Sequence, residues 1–397
     1  MLRFRRFKEK VCRRLSHLKR GKFPAGDFLN STSVKSCSSD SSDSDDRVVV
    51  KKIKNKRRYL RSQHKKIARK FNIDSLNFKG AGSFGQVFTG RTIKNGCTTD
   101  EKFAVKLIKA QYIDEPSLKK WKRTCKREMY YIHQLNDHEN VVNIYDYHWL
   151  YNPKQQLYPA YLAIKMEHLE MSLEKCLKKE YNFTLYTIGN IGRQIGSAIE
   201  FMHEKKIVHF DIKPENIMVS KFDDHNNKEL NNQTIYKLID FGLSRHYKEK
   251  VGTKWLDNKT VGGTMAFTCE EKITSTGLFT LYNPYLVDSY AFGATLLNII
   301  MGNSSFSYYS RMLLASGIFR QFMIESWARP DLNQFVTHPQ YLKAIENLLK
   351  PQSERSFVFQ ALPLFKNDQI CPVEEYFVQP KGGWPTPDDS MYWCTLR

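Results

Sequence analysis

A chain of 397 residues, 41% of them hydrophobic, is long enough to bury a substantial core, and most of it is expected to fold. Its longest apolar approach to a membrane span, Leu286–Met301, is too short and carries Asp288, so a soluble protein is expected with no transmembrane segment. The net charge of +21 is concentrated: residues 1–70 hold 23 Lys and Arg against 6 Asp and Glu, net +17, leaving +4 for residues 71–397. A polyanionic partner is therefore expected for the first segment and not for the body.

Residues 1–20 space Phe4, Phe7, Val11, Leu15 and Leu18 at helical intervals among Lys and Arg, the pattern of a short basic amphipathic helix. Such a helix would lie on an anionic membrane, dock on a partner, act in organelle import or pack on the body. The serine-acid run Ser36–Asp46 is too polar to bury anything, is expected to be disordered, and suits phosphorylation at its serines. Lys51–Lys70 reads as a nuclear-localisation or nucleic-acid-binding run, with a solvated basic linker as the alternative. The eight cysteines include no pair at two-residue spacing. With no secretory signal evident they are expected to be reduced thiols in the nucleus or cytoplasm, the basic run favouring the nucleus.

From Phe71 short strand-like runs, Gln86–Thr89 and Lys102–Ile108, alternate with turns. A helical stretch around Lys119–Leu135 follows, then a strand pair near Val142–Trp149 and Tyr161–Met166, and after that the chain reads mostly helical. Strands first and helices later predict an α+β protein with a small sheet-rich lobe, 71–166, and a larger helical lobe, 167–366. Residues 1–70 form a basic extension and 367–397 an aromatic tail, which either packs on the large lobe or docks a partner.

Four segments carry chemistry. Gly80-Ala81-Gly82-Ser83-Phe84-Gly85-Gln86-Val87 has three glycines on a strand-turn-strand pattern, where backbone N–H groups can approach phosphate, although glycines also mark ordinary hairpins. A strand continues after the last glycine where a dinucleotide-binding fold would open a helix. Phe103-Ala104-Val105-Lys106 places a lysine in an apolar strand, and Glu128 falls on the apolar side of the next helix, supplying the carboxylate that a buried lysine requires. In Ile207-Val208-His209-Phe210-Asp211-Ile212-Lys213-Pro214-Glu215-Asn216, an apolar strand leads into a loop with Asp, Lys and Asn. An acid to orient and deprotonate a hydroxyl, a lysine for a moving phosphate and an amide oxygen for Mg²⁺ fit one reaction centre. Asp240-Phe241-Gly242 then offers a second acid at the end of an apolar strand; taken alone, each acid also suits an ordinary turn.

In this order the segments resemble the eukaryotic protein kinase superfamily over residues 74–365. The resemblance implies a two-lobed fold that transfers the γ-phosphate of ATP to serine or threonine of protein substrates, with Mg²⁺ or, in its place, Mn²⁺. It makes Asp211 the catalytic base, Lys213 the partner of the moving phosphate, Lys106 with Glu128 the pair at the inner phosphates, and Asn216 and Asp240 the metal ligands. The nucleotide is expected along Gly80–Val87, at Ala104, at Met166 in the gatekeeper position, and at the hinge residues Glu167 and Leu169. His209, Phe241, Gly242, Thr264 and Asp288 match structural positions, and Arg355 matches an arginine that pairs with the activation-segment glutamate, here Glu271. Lys213 and Thr264 resemble serine/threonine rather than tyrosine kinases. A monomeric catalytic domain is expected, with nucleic acid or anionic membrane contacted through residues 1–70.

Three departures mark a divergent member of the family, a viral source being one reading. Phe210 stands where many kinases carry an arginine that receives an activation-loop phosphate, which implies a kinase not switched mainly in that way. Cys269-Glu270-Glu271 replaces Ala-Pro-Glu, and an Asn- and Asp-rich insertion occupies Lys221–Gln233. The rival reading is a silent kinase-fold scaffold acting through its basic tail. A lipid or small-molecule kinase fits Lys213-Pro214-Glu215 and Gly263-Thr264 less well.

Overall fold

Alternation along Phe103–Leu107 sends Val105 and Leu107 to one side of an extended strand and Ala104 and Lys106 to the other. In the computed structural model this stretch lies at the centre of a five-stranded antiparallel sheet. The structure describes residues 64–82, 85–110, 114–152, 155–179, 181, 183, 185–221, 234–247, 263–274, 282–301 and 339–365. The strands are β1 (Asn77–Gly82), β2 (Gly85–Lys94), β3 (Cys97–Lys109), β4 (Ile144–Asn152) and β5 (Gln155–Glu167), ordered β1-β2-β3-β5-β4. The amphipathic segment 1–20, the serine-acid run, the basic run up to residue 63, residues 222–233 of the insertion and the aromatic tail lie outside the described residues.

One face of the sheet is covered by helical residues 64–71 (α1), which press Ile67 and Phe71 against Phe88, Val105, Leu107, Leu150 and Ala163. Residues 64–70 precede the boundary expected at Phe71. Ile67 and Phe71 are four residues apart and share a helix face, while Lys65, Lys66, Arg69 and Lys70 stay exposed, so a run dense in basic residues still carries a buried stripe. The helix α2 (Glu115–Leu135) begins with a capping box between Asp114 and Ser117. This satisfies first-turn N–H groups that would otherwise lack partners. Its buried residues Cys125 and Met129 pack on Leu162 and Ile164, and the same helical period places Glu128 on the inner side.

The larger lobe is built from β6 (Met171–Ser172), α3 (Leu173–Lys178), α4 (Leu185–Glu204), β7 (Ile207–Val208), β8 (Ile217–Lys221), β9 (Ile235–Leu238), β10 (Arg245–His246), α5 (Glu270–Thr274), α6 (Pro284–Met301), α7 (Pro339–Leu349) and α8 (Val358–Phe365). Its short strands form a three-stranded sheet, β6-β8-β9, and a β10-β7 pair. The apolar run Leu286–Met301 is accounted for by burial, since α6 is enclosed along almost its whole length. Among the described residues no helix is long and apolar enough to cross a membrane. Cys97, Cys125, Cys176 and Cys269 are free thiols, and burial pushes the last three up to about 12.

The packing of α4 depends on Gly189, Gly192 and Gly196, one stripe along the helix. A Cβ at Gly192 would lie 2.5 Å from a ring carbon of the buried Phe365, and one at Gly189 would lie 2.5 Å from the Tyr341 hydroxyl. Alanine is the better helix former by about 1 kcal/mol, but overpacking a closed core costs about 1–3 kcal/mol. Gly192→Ala is therefore expected to destabilise by about 1 kcal/mol in denaturant titration, and a stabilised variant would refute the close approach.

Candidate active site

Registration across the sheet assembles the face where the nucleotide is expected. Val87 stands opposite Lys106 and Lys106 opposite Ile164, while Ala104 stands opposite Met166. Directly opposed residues share a face, so Val87, Ala104, Lys106 and Met166 line the side of the sheet away from α1. Pairing of Gly80 with Val87, Ala81 with Gln86 and Gly82 with Gly85 brings the glycines together at the end of the β1-β2 ladder; Ser83 and Phe84 lie outside the described residues. Gly85 has φ +145°, and a Cβ there would lie 2.4 Å from the carbonyl oxygen of Leu107, so the turn excludes any side chain at that point. Gln86, paired with Leu107, continues β2.

Lys106 Nζ donates to Glu128 Oε1 at 2.7 Å and to Asp240 Oδ1 at 3.1 Å, joining β3, α2 and the segment after β9. Burial alone would lower the ammonium's pKa, but the charges of Asp240 and Glu128 outweigh it and hold Lys106 above its ordinary value. Burial pushes the Glu128 carboxyl up, against the pull of Lys106; the 2.7 Å contact supports the charged pair.

At the expected hinge the structure gives the Glu167 side chain partners within the protein. The Glu167 carboxylate accepts from the Asn143 N–H at 2.6 Å and pairs with Lys237 at 3.0 Å, and its own N–H donates to the Asn143 carbonyl. The Leu169 side chain belongs to the buried core. Lys237 was missed in the sequence, although a lysine inside the apolar strand Ile235–Leu238 is the same signal that singled out Lys106.

The loop that carries Asp211 follows β7. His209 Nδ1 accepts from the Asp211 N–H at 3.2 Å, which leaves the proton on Nε2, 3.1 Å from the Ile239 carbonyl it can donate to. Fully buried Asp288 accepts from the N–H groups of His209 (2.7 Å) and Phe210 (2.8 Å) and lies 3.1 Å from His203 Nε2. Asp211 is thereby presented with its carboxylate engaged on both oxygens: Oδ2 by Lys213 (2.9 Å) and the Asn216 amide (3.0 Å), Oδ1 by the Thr264 N–H (3.2 Å) and hydroxyl (3.3 Å). Lys213 also donates to the Thr264 hydroxyl at 2.7 Å, so residues matched separately in the sequence meet around one carboxylate.

Pairing of Ile217 with Leu238 sets the start of β8 beside the end of β9, and Ile239 N–H donates to the Asn216 carbonyl at 2.9 Å. Asn216 and Asp240 are thus neighbours despite their distance in sequence. Asp240 has φ +67°, a left-handed conformation uncommon outside glycine, which re-aims its carboxylate toward Lys106. Phe241 is fully buried with its ring 5.2 Å from His209, and Gly242 occupies the turn that follows.

At the end of the activation segment Cys269 is buried and α5 begins at Glu270, so the turn stays ordered without a proline. Arg355 donates to both oxygens of Glu271 and to the carbonyls of Lys350 (2.9 Å) and Leu286 (3.0 Å), and its guanidinium carbon lies 5.0 Å from the centre of the Tyr290 ring. Two further anchors were not anticipated. Tyr131 Oη accepts from the His246 N–H at 2.7 Å, tying α2 to β10, and Lys272 is enclosed against Phe210.

Among the described residues no group of three or more His, Cys, Asp or Glu is gathered for a metal. Asn216 directs its amide nitrogen to the carbonyl and carboxylate of Asp211, which leaves its side-chain oxygen as an acceptor, and Asp240 follows the residue whose N–H binds the Asn216 carbonyl. One amide oxygen and one carboxylate form a hard, incomplete donor set, suited to a divalent cation that takes its other ligands from phosphate and water. The residues present fit such a group.

A family model for the protein kinase domain matches residues 73–361, and the chain belongs to the protein kinase family. It is 28% identical over 253 residues to myosin light chain kinase 2, skeletal/cardiac muscle, of Oryctolagus cuniculus, covering 60% of this chain and 36% of that protein. It is 30% identical over 186 residues to calcium-dependent protein kinase 4 of Plasmodium falciparum, covering 45% and 31%. With the Aurora kinase of Candida glabrata the identity is 30% over 242 residues, covering 61% and 57%. The chain thus spans between about a third and somewhat over half of the length of these curated relatives.

Proposed function

We propose that the chain is an active protein kinase that transfers the γ-phosphate of ATP to serine or threonine hydroxyls of protein substrates. The observation that carries this reading is the Asp211 carboxylate, held by Lys213, Asn216 and Thr264, together with Lys106 joined to both Glu128 and Asp240. Every charged group expected of the reaction is present, which supports activity over a silent scaffold. Asp211 would orient the acceptor hydroxyl and take its proton. Lys213, already shared between Asp211 and Thr264, would follow the moving phosphate, and Lys106 would hold the inner phosphates. Asn216 and Asp240 would hold Mg²⁺, which when bound neutralises charge on the phosphate oxygens. The Lys213–Thr264 contact and the names of the kinase relatives favour serine or threonine over tyrosine.

The test is transfer of label from γ-labelled ATP with Mg²⁺ to casein, histone and the chain itself, followed by phosphoamino-acid analysis. Label on serine and threonine, abolished by chelation, is the expected result. Label on tyrosine would overturn the specificity. No label above an Asp211→Asn control, with nucleotide still bound, would favour the scaffold.

A further inference from the structure

Lys272 has 2% of its surface exposed, and the reaction described above makes no use of it. Burying an ammonium is unfavourable unless it is partnered, so its surroundings define its task. Its Nζ donates to the Phe210 carbonyl at 3.2 Å and lies 4.9 Å from the centre of the Phe210 ring. A Cβ added at Gly263 would come within 3.1 Å of both that Nζ and that carbonyl, so the lysine, the catalytic loop and the activation segment meet at one point. Gly263 immediately precedes Thr264, whose N–H and hydroxyl face Asp211. On its other side, the Phe210 N–H donates to Asp288.

Residue 210 is therefore gripped at both ends, and its conformation requires it. Phe210 has φ +68°, a left-handed backbone that a bulky residue keeps only where its surroundings impose it. Asp211 is the next residue along the chain. An ammonium makes a stronger bond to a carbonyl than a neutral donor does, and a bond closed off from water is not exchanged for one to solvent. Burial lowers the Lys272 pKa, while the carboxylates of Asp288 and Asp211 act to keep it charged.

We propose that Lys272 is a positioning residue for phosphate transfer. By fixing the Phe210 carbonyl it holds the loop conformer that carries Asp211, and it ties that conformer to the folded end of the activation segment without any phosphate. In a chain with phenylalanine at position 210, the cation that couples the two segments comes from α5 instead of the loop itself. The inference rests on the reading of the chain as an active kinase.

The test uses the full chain with Lys272→Met and Lys272→Arg, following initial rates against ATP and acceptor, melting temperature, and amide hydrogen exchange of residues 207–216. In Lys272→Met, kcat is expected to fall between about 10- and 100-fold, as for a misplaced catalytic group, with KM for ATP changed less than about twofold. Exchange at 207–216 should quicken, and Lys272→Arg, which can donate to the same carbonyl and stack on the same ring, should recover most of the rate and protection. A kcat for Lys272→Met within about twofold of the parent, or an arginine variant no better than the methionine one, would overturn the proposal. Should Lys272→Met fail to fold, Lys272→Gln is judged on the same readouts. Should the parent chain transfer no phosphate, the kinase reading fails by itself and the exchange experiment decides alone. Unchanged protection of 207–216 in Lys272→Met would then refute the role, and faster exchange restored by arginine would support it.

Discussion

Asp211→Asn is expected to lower phosphate transfer by about 10²–10⁴-fold while leaving nucleotide affinity nearly unchanged. The substitution keeps the size of the side chain but replaces an oxygen by NH₂. An amide cannot accept a proton from a hydroxyl at neutral pH, and it answers the Lys213 ammonium with a dipole in place of a charge. Lys106, Glu128 and Asp240, the groups expected at the phosphates, are untouched, so a fluorescent-nucleotide titration should return a Kd close to the parent's. A melting curve separates loss of chemistry from loss of fold, since the change breaks one ion pair in a loop otherwise held by Asp288 and Thr264. Retention of transfer within about tenfold would remove Asp211 from its role as base and return the chemistry to positioning alone.

Arg355→Met is expected to cost about 3–5 kcal/mol of stability, the usual penalty for removing one partner of a buried ion pair. The Arg355 side chain is 2% exposed and that of Glu271 16%, so the carboxylate left behind has little water to turn to. Two carbonyls, of Lys350 and Leu286, would lose their donor as well. Against a total stability of about 5–15 kcal/mol this is a large fraction, and it corresponds to a fall in Tm on the order of 10 °C. Adding Glu271→Gln to the same chain should restore part of the loss, because it removes the stranded charge. A single variant within about 1 kcal/mol of the parent would show that the pair is solvated and of little consequence.

What the chain determined by itself is the local chemistry and its order. Glycines in a strand-turn-strand pattern, a lysine in an apolar strand, an acid and an asparagine in a polar loop between apolar strands, and a second acid after another such strand were all legible. Each depends on backbone periodicity over a few residues, and β2, β3, α2, β4 and β5 appear where those periods placed them, whereas α1, β6 and β10 were not anticipated. The resemblance then supplied roles, including the Glu271–Arg355 pair, that no spacing could have supplied.

What only the tertiary structure decided concerns side chains whose partners are distant. Glu167 reads as a hinge residue, and only the fold shows its carboxylate held by Asn143 and Lys237. The basic run read as an extension, yet Ile67 within it closes one face of the sheet. Lys272 follows two glutamates in sequence and reads as a solvated lysine, and only the approach of Phe210 and Gly263 shows it to be enclosed. Whether a charged side chain is wet or buried is a property of what packs over it. That depends on segments tens of residues away, so a local pattern carries no record of it.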